Sequence, residues 1–266
     1  MSTPSPLAGT IGVFDSGVGG LSVLKALHTR LPAAALHYFA DSAYAPYGDR
    51  TVNEVQQRCM RITEHLLDEG ARMVVVACNT ATTAAIATLR LRWPEVPFVG
   101  VEPGVKPAVA CTRNGRIGVM ATRRTIASER LQRLLTEHAG HCSVVLQACP
   151  GLADAIEAGS LDDHAMRLLL QAHCAPLLAA GVDTVVLGCT HYPFVAEQIQ
   201  ALMGEAVTLI DTADAVAQRA VSVWSTLPQQ SGAPTLRFET TGHPLVLQAL
   251  VARWLGLQAT VGTAAL

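Results

Sequence analysis

Two cysteines in this chain precede side chains able to handle a proton. In Val185-Val186-Leu187-Gly188-Cys189-Thr190-His191 a short apolar run stops at a thiol, with an imidazole two residues on. In Val74-Val75-Val76-Ala77-Cys78-Asn79-Thr80 an apolar run again ends in one small residue and a cysteine. A thiol near pKa 8.5 becomes a usable base when a basic neighbour or a helix N-terminus lowers that value. One such thiol points to a covalent nucleophile. Two on opposite sides of a carbon point to proton removal on one face and delivery on the other.

The elements that must position these thiols repeat. Ile11-Gly12-Val13-Phe14-Asp15-Ser16 is matched by Ile117-Gly118-Val119-Met120-Ala121-Thr122, and Tyr38-Phe39-Ala40-Asp41 by Leu146-Gln147-Ala148-Cys149. With the cysteine runs, three strand-like segments recur in order about 110 residues apart, the signature of an internal duplication. Two similar halves facing each other would set Cys78 and Cys189 on opposite walls of one cleft. Short apolar runs bounded by turn chemistry read as buried strands of a parallel sheet, whose ligands lie beyond the carboxyl ends. Strands are expected over 10–15, 36–40, 73–77, 96–101, 116–121, 143–148, 184–188, 207–210 and 235–239. Helices follow through Leu27, then over 51–69, to Leu91, and over 128–138, 153–158, 162–180 and 244–255. Nine strands alternating with helices give an α/β architecture with mainly parallel sheets.

Several positions carry two readings. Asp15 ends a buried strand, where a carboxylate either caps a helix or works in a site. Gly17, Gly19 and Gly20 do not fit the dinucleotide fingerprint, which favours a tight turn and close helix over phosphate binding. Pro46, Tyr47 and Gly48 sit in a strand-to-helix loop suited equally to covering a ligand and to an ordinary turn. Asn79 or Thr80 is a helix N-cap or a carboxylate ligand. Asp211 and Asp214 are expected to cap the next helix. Glu157 follows Cys149-Pro150 on a short helix, where most glutamates are solvated.

Composition narrows the class. Half of the 266 residues are hydrophobic and the mean hydropathy is +0.32. No run of eighteen apolar residues and no secretory signal stands out, so a cytoplasmic protein without a membrane span is expected. The net charge of −2, with no Lys/Arg-rich run, leaves no footprint for nucleic acid. Seven cysteines without a Cys-x-x-Cys pair argue against a disulfide framework and a zinc site. Lys25 and Lys106 are the only lysines, and neither setting suggests a pyridoxal Schiff base.

Asp15-Ser16-Gly17-Val18-Gly19-Gly20, Pro46-Tyr47-Gly48, Ala77-Cys78-Asn79-Thr80-Ala81-Thr82 and Gly188-Cys189-Thr190-His191-Tyr192-Pro193 together resemble the glutamate racemases. Gly100 to Ala108, Ala121-Thr122 with Thr125, and Thr240-Thr241-Gly242 follow the same pattern, so the likeness spans nearly the whole chain. The resemblance implies cofactor- and metal-independent interconversion of L- and D-glutamate for bacterial cell-wall synthesis. It implies that Cys78 takes the α-proton from D-glutamate, assisted by Asp15. Cys189 would take it from L-glutamate, assisted by His191 and Glu157. Asp15, Ser16, Pro46, Tyr47, Gly48, Asn79, Thr80, Thr122, Thr190 and His191 match substrate-contacting positions. Two similar, pseudo-twofold-related domains are implied, 1–103 with 213–266 and 104–212, in a homodimer.

The chain departs from the pattern at Cys149 to Asp154, where smaller residues replace the larger apolar ones usual after Cys-Pro. With the first strand opening at Thr10, the resemblance implies a member lacking the long N-terminal extension on which some members bind a cell-wall precursor as activator. Aspartate and hydantoin racemases share paired cysteines; the Cys-Asn-Thr and Cys-Thr-His-Tyr-Pro forms together favour glutamate. A single-cysteine hydrolase or transferase with His191 as base would make Cys78 dispensable. A non-catalytic binding or regulatory protein is the third reading.

Overall fold

In the computed structural model, residues 9–159, 161, 163–228 and 234–266 are described. The chain opens with β1 (Thr10–Asp15), α1 (Leu21–Arg30), β2 (Ala35–Ala40), α2 (Val52–Asp68), β3 (Ala71–Val76), α3 (Asn79–Arg92) and β4 (Phe98–Gly100). It continues with α4 (Val105–Cys111), β5 (Arg116–Ala121), α5 (Arg123–Ile126), α6 (Glu129–His138), β6 (Ser143–Ala148), α7 (Leu152–Glu157), α8 (His164–Ala179), β7 (Thr184–Leu187), α9 (Ala196–Met203) and β8 (Thr208–Ile210). The tail adds α10 (Ala213–Trp224), β9 (Leu236–Thr240), α11 (Pro244–Leu255) and β10 (Val261–Thr263).

Two compact units result. One runs to Val101 and resumes over Ala213–Leu266; the other is Glu102–Thr212. The first holds a six-stranded sheet ordered β10-β9-β2-β1-β3-β4, the second a four-stranded sheet ordered β6-β5-β7-β8. Every strand pair among the described residues is parallel. Such sheets are covered on both faces, and the central strands show it: Met73 to Val76 and Val185–Val186 have no exposed surface. Each of these side chains contributes roughly 1.5–3 kcal/mol by leaving water.

The repetition extends to single hydrogen bonds. The Ala77 N–H bonds to the Phe14 carbonyl, and the Gly188 N–H to the Met120 carbonyl. The Asp41 N–H bonds to Asp15 O, and the Cys149 N–H to Ala121 O. Cys78 therefore corresponds to Cys189, Ser16 to Thr122, and Asp41 to Cys149.

Local chemistry sets the boundaries. Thr51 and Glu54 form a reciprocal capping box that starts α2, and Gly70 at φ +92° releases the chain after it. Gly20 is required for close approach, since a Cβ there would lie 2.8 Å from Asp15 Cβ and 3.0 Å from the Tyr38 hydroxyl. That agrees with the tight-turn reading of this glycine run.

Several expectations change. The cap of α3 is neither Asn79 nor Thr80 but Cys78, whose extended backbone lets its own sulfur accept the Ala81 N–H. Asp214 lies inside the first turn of α10, and its carboxylate pairs with Arg30 at 2.6 Å instead of capping. Ten strands are present among the described residues, not nine, because the three-residue β10 carries too little pattern to read. The short helices α4, α5 and α9 are likewise additional to the expected ones. The loop after β2 holds two 3₁₀ turns, Ser42–Tyr44 and Tyr47–Asp49. Asp162, read as the start of a helix, lies outside the described residues. Among the described residues no helix is long and apolar enough to cross a membrane.

Candidate active site

In the first unit the chemistry collects at the carboxyl ends of β1, β2 and β3. Asp15 ends β1 with no exposed surface, and its Oδ1 accepts the Ser16 hydroxyl at 2.8 Å. The Cys78 thiol points to Ser16 Oγ at 3.6 Å, while Cys78 Sγ accepts the Ala81 N–H at 3.4 Å. Sulfur, hydroxyl and carboxylate thus form a chain at the N-terminus of a fourteen-residue helix, where amide N–H groups and the helix dipole favour a thiolate. Asn79 and Thr80 occupy the first turn, both buried. Neither the amide nitrogen nor the oxygen of Asn79 has a hydrogen-bond partner among the described residues. A buried amide left so costs about 1–3 kcal/mol. A polar ligand arriving at the helix N-terminus would recover that cost.

The loop with Pro46, Tyr47 and Gly48 is anchored by a residue the sequence reading passed over. Asp41, fully buried, accepts Arg58 Nε at 2.9 Å and Nη2 at 2.8 Å, the Tyr47 hydroxyl at 2.5 Å and the Thr241 hydroxyl at 2.9 Å. The Arg58 guanidinium also lies over the Tyr44 ring at 3.7 Å and donates to the Leu266 carbonyl. Burial, followed by the charge nearby, holds the Tyr47 phenol well above its usual pKa, so it serves as a donor. The Ala45–Pro46 peptide is cis.

In the second unit the corresponding ends are β5, β6 and β7. Cys189 Sγ lies 3.7 Å from His191 Nδ1, and His191 Nε2 lies 2.5 Å from Glu157 Oε1. The structure therefore brings Cys189, His191 and Glu157 into one line, with Glu157 delivered by α7. Burial opposes a charge on His191, but its bonds to Cys189 and Glu157 outweigh this and raise its pKa well above 6.5. Thr190 is buried beside them. Thr122 caps α5 by accepting the Thr125 N–H and shares a 3.1 Å hydrogen bond with the Thr125 hydroxyl. Gly188 is obligatory, since a Cβ there would meet the Met120 carbonyl oxygen at 2.8 Å. Cys149 is a thiol of another kind. Burial, with Cys189 adding, pushes it up to about 12, so it stays protonated.

Comparison with known proteins finds relatives along nearly the whole chain. Residues 11–220 match the family described as Asp/Glu/Hydantoin racemase. The chain is 48% identical over 254 residues to a glutamate racemase of Ectopseudomonas mendocina, covering 94% of this chain and 96% of that protein. The crystal structure of glutamate racemase isoform RacE1 from Bacillus anthracis is similar at TM-score 0.88 and 35% identity, covering 98% of both chains. Escherichia coli glutamate racemase, solved with L-glutamate and the activator UDP-MurNAc-ala, is similar at TM-score 0.88 and 30% identity over 97% of this chain and 98% of that one.

Proposed function

This chain belongs to the Asp/Glu/Hydantoin racemase family, and from that premise we propose that it racemises glutamate by two-base chemistry at Cys78 and Cys189. One observation carries the reading. Equivalent strand ends in the two units each present a cysteine, and each cysteine has its own proton-handling partners.

The steps balance. With D-glutamate bound, the Cys78 thiolate takes the α-proton, and the electron pair left on the carbon delocalises into the α-carboxylate. The Cys189 thiol then gives its proton to the opposite face, leaving a thiolate. The product is L-glutamate, and the enzyme has exchanged thiol for thiolate at the two sulfurs, the state that runs the reverse reaction. In the first unit, Ser16 and Asp15 orient the Cys78 S–H while the N-terminus of α3 stabilises its thiolate. In the second, charged His191 stabilises the Cys189 thiolate and is held by Glu157. Asn79 and Thr80, Tyr47 and Gly48, and Thr122 and Thr190 hold the substrate's carboxylates and ammonium. No redox step or covalent adduct is needed, so the reading calls for no cofactor. It includes D-glutamate supply to peptidoglycan synthesis by a cytoplasmic homodimer.

The test incubates the protein with L-glutamate in deuterated water, without pyridoxal phosphate or added metal. The expected product is D-glutamate with deuterium at the α-carbon. Cys78→Ser and Cys189→Ser should each abolish net conversion. Loss in Cys189→Ser alone, with Cys78→Ser fully active, would instead indicate single-cysteine chemistry.

A further inference from the structure

Away from these strand ends, the first unit gathers two imidazoles and a carboxylate that the racemase chemistry does not use. His37 lies on β2, His65 on α2 and Glu239 on β9. The pairing of β2 with β9 sets His37 opposite Arg237 and Phe39 opposite Glu239. Because alternate residues share a face, all four point to one side of the sheet. Helix α2 lies over that side, and His65 meets the His37 and Phe39 rings edge-on at 6.0 and 5.5 Å.

The convergence is on a single atom. His37 Nε2 is 2.9 Å and His65 Nε2 2.6 Å from the same oxygen, Glu239 Oε2. The other oxygen, Oε1, is taken by Arg237, which is itself held by Glu69. The three candidate donor atoms lie within 4.8 Å of one another, with His37 and Glu239 buried and His65 partly exposed. Two imidazole nitrogens and a carboxylate oxygen suit borderline divalent ions. Around tetrahedral zinc, ligand atoms about 2.0–2.2 Å from the metal stand roughly 3.3 Å apart. Opening the two N···O separations by less than an ångström brings both to that value. Arg237 fixes the carboxylate so that Oε2 faces the imidazoles, the supporting role that ligating carboxylates usually require. Partly exposed His65 gives an ion a route in, and water would complete its coordination as fourth ligand.

We propose that His37, His65 and Glu239 form a binding site for a divalent transition-metal ion of the zinc type. The ion is coordinated by two neutral imidazoles through Nε2 and by Glu239 Oε2. It pins α2 and the returning strand β9 to β2, on the face of the sheet and not at its carboxyl end. Its role is structural, and the proposal stands apart from the glutamate reading.

The test uses the full chain, stripped with a chelator, desalted and titrated with Co²⁺ and with Zn²⁺. The wild type should take up one Co²⁺ in this site, with d–d bands of a four- or five-coordinate ion and no thiolate-to-metal charge transfer. Zinc at about 100 times its dissociation constant should raise the melting temperature by on the order of 5 °C. Arg237→Gln keeps all three ligands and should weaken binding by roughly 10–100-fold. His65→Ala, at a partly exposed helical position that should tolerate it, should abolish both the d–d bands and the zinc-dependent shift. Glutamate turnover should survive chelation. No uptake by the wild type, binding undiminished in His65→Ala, or a charge-transfer band placing the ion on cysteines would each overturn the proposal. The cluster would then be a hydrogen-bonded tie only.

Discussion

At the ends of β3 and β7 one backbone pattern carries two unlike thiols. Each cysteine follows a strand whose last backbone bonds run to an equivalent neighbour, Ala77 to Phe14 and Gly188 to Met120. Beyond that point the halves diverge. Cys78 caps a fourteen-residue helix, and its partners are a backbone N–H, a hydroxyl and, through that hydroxyl, a carboxylate. Cys189 is followed by a short 3₁₀ turn, Tyr192–Val195, that separates it from α9, and its partner is a charged imidazole braced by Glu157. Where one half has an α-helix N-terminus to stabilise a thiolate, the other has a cation. The difference shows that a repeated scaffold can preserve the position of a thiol while each copy gives it different partners.

The strongest way to break the comparison is to remove either sulfur. Cys78→Ala and Cys189→Ala are each expected to lower kcat by about 10⁴-fold, the upper range for a positioned acid–base group. Circular dichroism of glutamate, started from either enantiomer, measures the loss. Near-wild-type turnover in either variant would mean that the two thiols are not functional equivalents.

The helpers sharpen it. His191→Asn and Asp15→Asn should each cost roughly 10²-fold in kcat. Since L- and D-glutamate have equal free energies, kcat/KM must fall equally in both directions, so this ratio cannot tell which half was damaged. Deuterium entering unreacted substrate can. From D-glutamate, His191→Asn slows the Cys189 step and should increase wash-in relative to product formation; Asp15→Asn should do so from L-glutamate. Equal partitioning in the two variants would contradict the division of labour.

Much of this was legible before any coordinates, for a physical reason. Parallel strands buried on both faces must be nearly continuous apolar runs, and each of these ends in chemistry at its carboxyl end. The thiols, Asp15 and His191 could therefore be placed by position alone. Cys78 was missed as a cap because capping is the habit of Ser, Thr, Asp and Asn. Asp41 carried the same signal as Asp15, a carboxylate closing a buried strand. Its partner Arg58 sits on another element at no telling spacing. His37, His65 and Glu239 were equally invisible, since only the pairing of β2 with β9 and the packing of α2 bring them together.

Asp41 and Cys149 make a second matched pair, and their contrast concerns stability. Both bond by their N–H to the end of the preceding strand's partner, yet one is a buried ion and the other a buried neutral thiol. Asp41→Ala strands the Arg58 charge and frees Tyr47, and should cost about 3–5 kcal/mol in urea unfolding. Cys149→Ala removes one buried atom and should cost about 1 kcal/mol. Comparable losses would show that the ion pair is not what holds the first unit's loop.

The gentlest probe is pH, read just above neutrality, below the range in which the buried thiols and phenols of both units begin to ionise in the unfolded chain. The folded pKa of His191 lies above its ordinary 6.5 because Cys189 and Glu157 favour the charged ring more than burial disfavours it. The stabilisation from this group is therefore complete below about pH 6.5 and drains away as pH rises through the elevated folded value. His191→Asn should flatten that alkaline decline in urea-unfolding free energy while leaving the acid side unchanged. Cys78→Ala should leave the decline in place, since the first unit stabilises its sulfur with amides and a hydroxyl that do not titrate in this range. If Cys78→Ala flattened the curve and His191→Asn did not, the imidazole would not be the charge that distinguishes the two halves.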